Sequence, residues 1–388
     1  MFYSKRITDP RIAAKITGKQ DRYTIGAIGA VNKEEQRDGR LGAVRVSRDV
    51  LKYSSVAAMV SGYDHADFSN FNYGINANFR PSQIFSLFGK MQSSYNSDMN
   101  NTENMLKSIY SKYAPDEGFR AVFSAQQIGK YYEPRAGIYG ARDIQSFRFE
   151  PGYSIRLNEI GIKQLRLFAD AEKKESSTGT PLGYNIKPFI IALTSMKDFG
   201  IGGNIGFGEE KVQLRQNSEL MWSDEFYNIR KYQFYFGYMG NRYWDFDTGF
   251  IWGRKPVYSS DFSEAFEGKN FLYDFILGAK PVSNINIKYR FHYAMEKKRS
   301  NNETTFSGTI SSLGVDYQIT RHIHFNNIVE FDSNEERLRF ETVLGYELGM
   351  GNKILLSYKS RGHAEIHKLS YPNDEMTISL KASYLFRI

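Results

Sequence analysis

From Met376 to Ile388, a wholly apolar row alternates with a mostly polar one. Met376, Ile378, Leu380, Ala382, Tyr384, Phe386 and Ile388 occupy one parity, and Thr377, Ser379, Lys381, Ser383, Leu385 and Arg387 the other. Successive side chains of a strand point to opposite faces, so the stretch predicts a β-strand with one wholly apolar face. It exceeds the roughly 9–11 residues that a tilted strand needs to cross a hydrocarbon layer. Tyr384, Phe386 and Ile388 carry the apolar row to the last residue, the terminal signal of a closing barrel strand.

The period recurs upstream. Tyr23, Ile25, Ala27, Gly29 and Val31 form an early face, and Leu165, Leu167, Ala169 and Ala171 alternate with Arg166, Asp170 and Glu172. Ile285, Ile287, Tyr289, Phe291, Tyr293 and Met295 alternate with Asn286, Lys288, Arg290, His292, Ala294 and Glu296. Leu338, Phe340, Leu344, Tyr346 and Leu348 oppose Arg339, Glu341 and Glu347. The second face is charged, not merely polar.

Tight turns (81–82, 196–198, 241–243, 281–283, 320–321, 349–352) largely alternate with longer polar loops (96–104, 174–182, 255–269, 297–303, 363–374). Short turns on one rim and long loops on the other mark outer-membrane barrels, whereas Greek-key sandwiches lack that regularity. The expected fold is all-β, an antiparallel transmembrane β-barrel of the outer-membrane type with about 18–20 strands. It forms a single domain over 1–388. Residues 12–18 break the even parity, so 1–18 is a lead-in segment or a first strand. Residues 208–230 hold a long loop or an additional short hairpin, and Pro188 predicts a bulge, because proline donates no ladder hydrogen bond.

Composition agrees. Aromatic residues reach 15% while mean hydropathy is −0.50, the outcome of apolar-out, polar-in alternation. No uncharged apolar run is long enough for a membrane-spanning helix. There is no cysteine, hence no disulfide or thiolate site. The net charge of +8 is scattered along alternating stretches, which argues against nucleic acid as a partner. No apolar core follows Met1–Arg6, so the chain is expected to be the C-terminal part of a longer secreted precursor.

The candidates for a water-facing lumen are Arg166, Asp170, Glu172, Lys288, Arg290, Glu296, Arg339, Glu341, Glu347 and Lys381. They read as a solvated ladder of cross-strand charges. Gly200, Gly202, Gly206 and Gly208 form a side-chain-free stripe, read as close packing or curvature, or as the seat of a loop or plug. His322 and His324 lack a visible third ligand, so no metal is expected. His363 and His367 fall in a loop. No catalytic residue is singled out and no cofactor is expected. Tyr131, Tyr132, Tyr358, Tyr384 and Phe386 suit interfacial girdles, while Tyr258, Phe262 and Phe266 suit girdles or stacking on sugar rings.

Phe2-Tyr3-Ser4-Lys5-Arg6-Ile7, Ala14-Lys15-Ile16-Thr17-Gly18-Lys19 and Tyr23-Thr24-Ile25-Gly26 resemble the opening of an outer-membrane β-barrel domain of unknown function. Tyr132-Glu133-Pro134-Arg135-Ala136-Gly137-Ile138 resembles its internal P-x-x-G-F stretch, with Ile138 in place of the usual aromatic. In that family the barrel follows a sandwich similar to carbohydrate-binding family 9 modules, in secreted proteins of Gram-negative bacteria. The resemblance implies an upstream carbohydrate-binding domain and no established activity.

The expected location is the outer membrane of a Gram-negative bacterium, with outer-membrane lipid and the barrel assembly machinery as partners. The expected function is a conduit for hydrophilic solutes, or an anchor and port for a glycan-binding surface protein. An inward-folded loop from 130–143 or 209–228 would seal the lumen. The alternatives are a surface hydrolase acting on glycans or lipids with carboxylates such as Glu341 or Glu347, and a soluble all-β carbohydrate-binding protein.

Overall fold

The structure, a computed structural model, describes residues 10–33, 38–65, 68–98, 102–135, 141–216, 219–239, 242–259, 261–349, 352–363 and 375–383. The alternating stretches are strands. In order they are β1 (Pro10–Gln20), β2 (Tyr23–Asn32), β3 (Gly39–Leu51), β4 (Ser54–His65), β5 (Phe68–Phe79), β6 (Phe85–Asn96), β7 (Met105–Tyr113) and β8 (Gly118–Ile128). Then come β9 (Ile144–Leu157), β10 (Ile162–Glu175), β11 (Pro181–Ser195), β12 (Phe199–Glu210), β13 (Gln213–Gln216), β14 (Glu219–Trp222) and β15 (Tyr227–Tyr238). The last are β16 (Trp244–Tyr258), β17 (Ala265–Val282), β18 (Ile285–Lys298), β19 (Thr304–Gln318), β20 (Ile323–Asp332), β21 (Arg337–Gly349), β22 (Asn352–His363) and β23 (Glu375–Ser383).

One antiparallel sheet takes 21 strands, and β13 pairs with β14 in a separate hairpin. The segment 12–18 is therefore a strand of the sheet, paired with β2 from Pro10 opposite Asn32 to Gln20 opposite Tyr23. The hairpin within 208–230 is β13–β14. No helix among the described residues is long and apolar enough to cross a membrane.

The chain separates into two compact units. Of the described residues, unit 1 holds those within 10–154 and 169–184, and unit 2 those within 155–168 and 185–383. In unit 1, each strand from β1 to β9 pairs with the next in sequence, and in unit 2 the same holds from β15 to β23. This meander puts alternate connections on opposite edges. Residues 21–22, 52–53 and 114–117 turn on one edge of unit 1, and 97–104 and 129–143 on the other. Only two residues separate β4 from β5, against the trend. In unit 2 the extended strands β16 and β17 shrink the expected 255–269 loop to 259–264.

Register rows show why the pattern folds this way. Partners in an antiparallel pair share a face, and Leu344, Leu356 and Leu380 lie opposite one another across β21, β22 and β23. Tyr289, Leu313 and Val329 do the same across β18, β19 and β20. This apolar face is exposed: Ile16 keeps 74% and Leu380 73% of its surface. A water-soluble protein rarely shows so continuous an apolar surface, whereas lipid covers it without cost. The buried hydrophobic clusters lie elsewhere. Leu106, Ile128 and Tyr132 form one in unit 1, and Val212, Leu214 and Tyr227 form one in unit 2. Tyr384, Phe386 and Ile388 lie outside the described residues, as do Phe2–Ile7 of the resemblance.

Leu356 and Ser357 are neighbours on opposite faces of β22. In a lipid bilayer, Leu356→Lys is expected to destabilise the fold by about 2–4 kcal/mol, the cost of a lysine near the midplane of a barrel wall. Ser357→Lys is expected to change stability little. Denaturant unfolding in liposomes measures both, and equal effects would mean that the face assignment is wrong.

Candidate functional site

In unit 1 the polar face of β5 and β6 is a ladder of amides and hydroxyls. Asn70 lies opposite Asn96, Asn72 opposite Ser94, and Gly74 opposite Gln92. Asn70 Nδ2 donates to Asn96 Oδ1 at 2.7 Å, and Asn72 Nδ2 to Asn70 Oδ1 at 2.6 Å. Such groups normally face water, yet here they are buried.

Residues 129–135, which follow β8, cover them. Gly129 begins this strap where a Cβ would run into the Glu103 carbonyl, so the close approach requires glycine. Its N–H donates to Met105 O at 2.8 Å. Tyr132 is 1% exposed, packs on Leu106 and Ile128, and donates its hydroxyl to Gln92 Oε1 at 2.8 Å. The Glu133 N–H donates to Ser94 Oγ at 2.8 Å, while Asn70 and Asn96 donate to the Glu133 carbonyl at 3.1 and 3.3 Å. The Arg135 N–H donates to Asn70 Oδ1 at 3.1 Å. Arg135 also lies 3.9 Å over the Phe68 ring and pairs with Asp98 at 2.7 Å. Glu133 sits between Arg135 at 3.4 Å and Arg142 at 2.5 Å.

Tyr132 is thus no girdle residue; it anchors the strap. The described part of the 130–143 loop lies on the polar face, and 136–140, with the rest of the P-x-x-G-F-like stretch, lies outside the described residues. The 209–228 segment instead builds the hairpin β13–β14. Val212, Leu214 and Tyr227 cluster there with Tyr258 and Ala265, and the Arg215 N–H donates to Phe262 O at 2.9 Å. Tyr258 is therefore packed, while Phe262 stays 56% exposed and Phe266 lies under Lys298.

Asp170 and Glu172 fall in unit 1. Asp170 is 4% exposed and bridges Arg148 of β9, Nε to Oδ1 at 2.6 Å and Nη2 to Oδ2 at 3.2 Å. It is a buried carboxylate held by a half-exposed guanidinium. The other eight candidates fall in unit 2. Arg339 and Glu341 come together in an ion-pair ladder over β20, β21 and β22. Arg339 reaches Glu330 at 3.7 Å and Glu341 at 2.6 Å, and Lys359 reaches Glu341 at 3.0 Å. Arg361 and Arg337 share Glu335 at 2.5 and 3.3 Å. Glu296 pairs with Lys255. Lys288 lies between Gly278 and Gly314, and Arg290 between Ile276 and Ser312. Neither makes an ion pair among the described residues. Arg166 is within electrostatic reach of Tyr235. Glu347 stands opposite Lys353, and Lys381 opposite Leu355.

Glu341 and Glu347 share a face of β21 six residues apart, roughly 20 Å at the rise of a strand. Paired carboxylates in glycosidases stand about 5–9.5 Å apart, so these two do not form such a pair. At Gly202 the Tyr235 side chain occupies the space a Cβ would need, and its hydroxyl donates to Ile191 O at 3.4 Å. The glycine stripe is close-packed at that point by a neighbouring strand, not by a loop. His324 lies over Gly345, and His322 Nδ1 contacts the Glu347 carbonyl at 3.0 Å. Among the described residues no three acidic, histidine or cysteine side chains group to hold a metal.

The sequence reading named 130–143 as a loop that folds inward but missed the amide ladder that receives it. The signal present was a same-parity run of amides, Asn70, Asn72, Asn76 and Asn78, in an otherwise apolar strand. The partners Arg148, Lys359 and Arg361 carry no signal before the register is known.

No protein-family profile and no curated protein sequence matches the chain. Among solved structures, the chain is similar to the ferric enterobactin receptor PfeA of Pseudomonas aeruginosa, with a TM-score of 0.55 and 8% identity over 89% of this chain and 68% of that one. It is also similar to the siderophore receptor PirA of Acinetobacter baumannii (TM-score 0.55, 8% identity, 96% and 74% covered). The FrpB iron transporter of Neisseria meningitidis gives a TM-score of 0.54 at 9% identity, covering 89% and 74%. The likeness is one of fold: an antiparallel transmembrane β-barrel of the outer-membrane type.

Burial pushes the Tyr132 phenol up to about 12. A released tyrosine ionises near 10. With the folded value the higher, the contribution of Tyr132 to strap stability is complete below about pH 10 and lost as pH rises towards 12. Ultraviolet phenolate titration of the wild type minus Tyr132→Phe is expected to show one tyrosine with its midpoint near the upper value. A midpoint near 10 would mean that Tyr132 is not buried under the strap.

Proposed function

We propose that the chain is an outer-membrane barrel of a Gram-negative bacterium and serves as a conduit for hydrophilic solutes. The observation that carries this reading is the charged face of unit 2, where half-exposed Arg339 and Lys359 form ion pairs along the strands. A lipid-facing or packed surface would not tolerate that density of charge, so this face is read as lining water. The candidate residues from Arg166 to Lys381 are lumen-facing on this reading. The similar structures are receptors and a transporter for iron or iron chelates by their names, which supports passage of solute without naming it. The role of port for an upstream glycan-binding domain belongs to the same proposal and rests on the family resemblance alone.

Refolded in detergent and inserted into planar bilayers, the chain is expected to give stable ohmic current steps. A unit charge about 7 Å from a passing ion in water contributes roughly 0.6 kcal/mol, close to RT. Removing either unpaired cation, by Lys288→Gln or Arg290→Gln, is therefore expected to lower anion entry by roughly 2.5-fold at low salt and by less as salt rises. The reversal potential in a salt gradient measures this. Insertion without current in the wild type and in every lumen variant would refute the conduit.

A further inference from the structure

We propose that residues 129–135 are a fixed internal constriction that sets the size limit for solutes moving along the polar face of unit 1. This rests on the conduit reading and adds the element that limits it.

Three observations lead there. First, the strap is held at its start, middle and end: Gly129 on Met105, Tyr132 in the pocket of Leu106 and Ile128, and Arg135 on Phe68 and Asp98. A flap that opens freely would not be fastened at all three. Secondly, the wall beneath it is made to receive a backbone. Asn70 and Asn96 donate to one carbonyl, Ser94 accepts from the same residue's N–H, and Asn70 accepts from Arg135. Water would satisfy these groups equally well in an open channel, yet the wall binds peptide instead. Thirdly, Glu133 and Arg135 pair with each other and with the wall, while Lys130 lies over the Tyr131 ring. Glu133 meets Arg135 and Arg142, and Arg135 meets Asp98. Paired charges cancel at a distance, so the constriction discriminates by size more than by charge.

The test compares the wild type with two variants of the full chain. In one, residues 130–142 are replaced by a short Gly-Ser linker. In the other, Tyr132→Ala and Arg135→Ala leave the loop present but remove its middle and end fastenings. Single-channel conductance and liposome swelling with neutral sugars of increasing size are the readouts, with heat-modifiable mobility on gels reporting folding. Both variants are expected to raise conductance several-fold and admit larger sugars, with ion selectivity little changed. A silent wild type that conducts once the loop is replaced also supports the constriction. If folded variants match the wild type in conductance and sugar limit, the constriction is wrong and the conduit stands. If wild type and variants insert without current or swelling, the conduit reading fails and the constriction with it. Should the linker variant fail to fold, the double alanine variant decides by the same criteria.

Discussion

Backbone hydrogen bonding in hydrocarbon is the constraint on which the structure depends. Lipid offers no partner to an N–H or C=O group, so each strand must find its partners in its neighbours. The meander meets this at low topological cost: from β1 to β9 and from β15 to β23 each strand pairs with the next, and short turns such as 21–22 and 283–284 carry the chain back. Side chains are then released from the task of making a conventional core. Leu344, Leu356 and Leu380 face outward together, and the buried apolar clusters are small and lie where loops return to the wall.

The two polar faces solve the remaining problem in different ways. In unit 1 uncharged amides and hydroxyls are covered by a strap of the same chain, which takes the place of water at Asn70, Gln92, Ser94 and Asn96. Asn70 alone serves both as donor to Glu133 and as acceptor from Arg135. In unit 2 long charged side chains span neighbouring strands and neutralise one another, as Glu341 does between Arg339 and Lys359. A charge ladder tolerates water beside it, because exposed pairs are weak and easily exchanged. An amide ladder beneath a tyrosine anchor does not. Unit 1 therefore binds peptide and unit 2 suits solvent.

Sequence alone determined the strands, their two faces and the outer-membrane barrel class, because a period of two is a local property that each strand states for itself. Even the short hairpin within 208–230 and the ambiguous segment 12–18 were legible as alternatives. What only the tertiary structure decided was which side chains meet. Asp170 pairs with Arg148 of the preceding strand, Tyr132 leaves the girdle for a buried pocket, and Tyr235 fills the space at Gly202. Each depends on the register between strands or on the path of a loop. Register is set by the sum of many weak cross-strand contacts, and no single strand carries that information in its own residues.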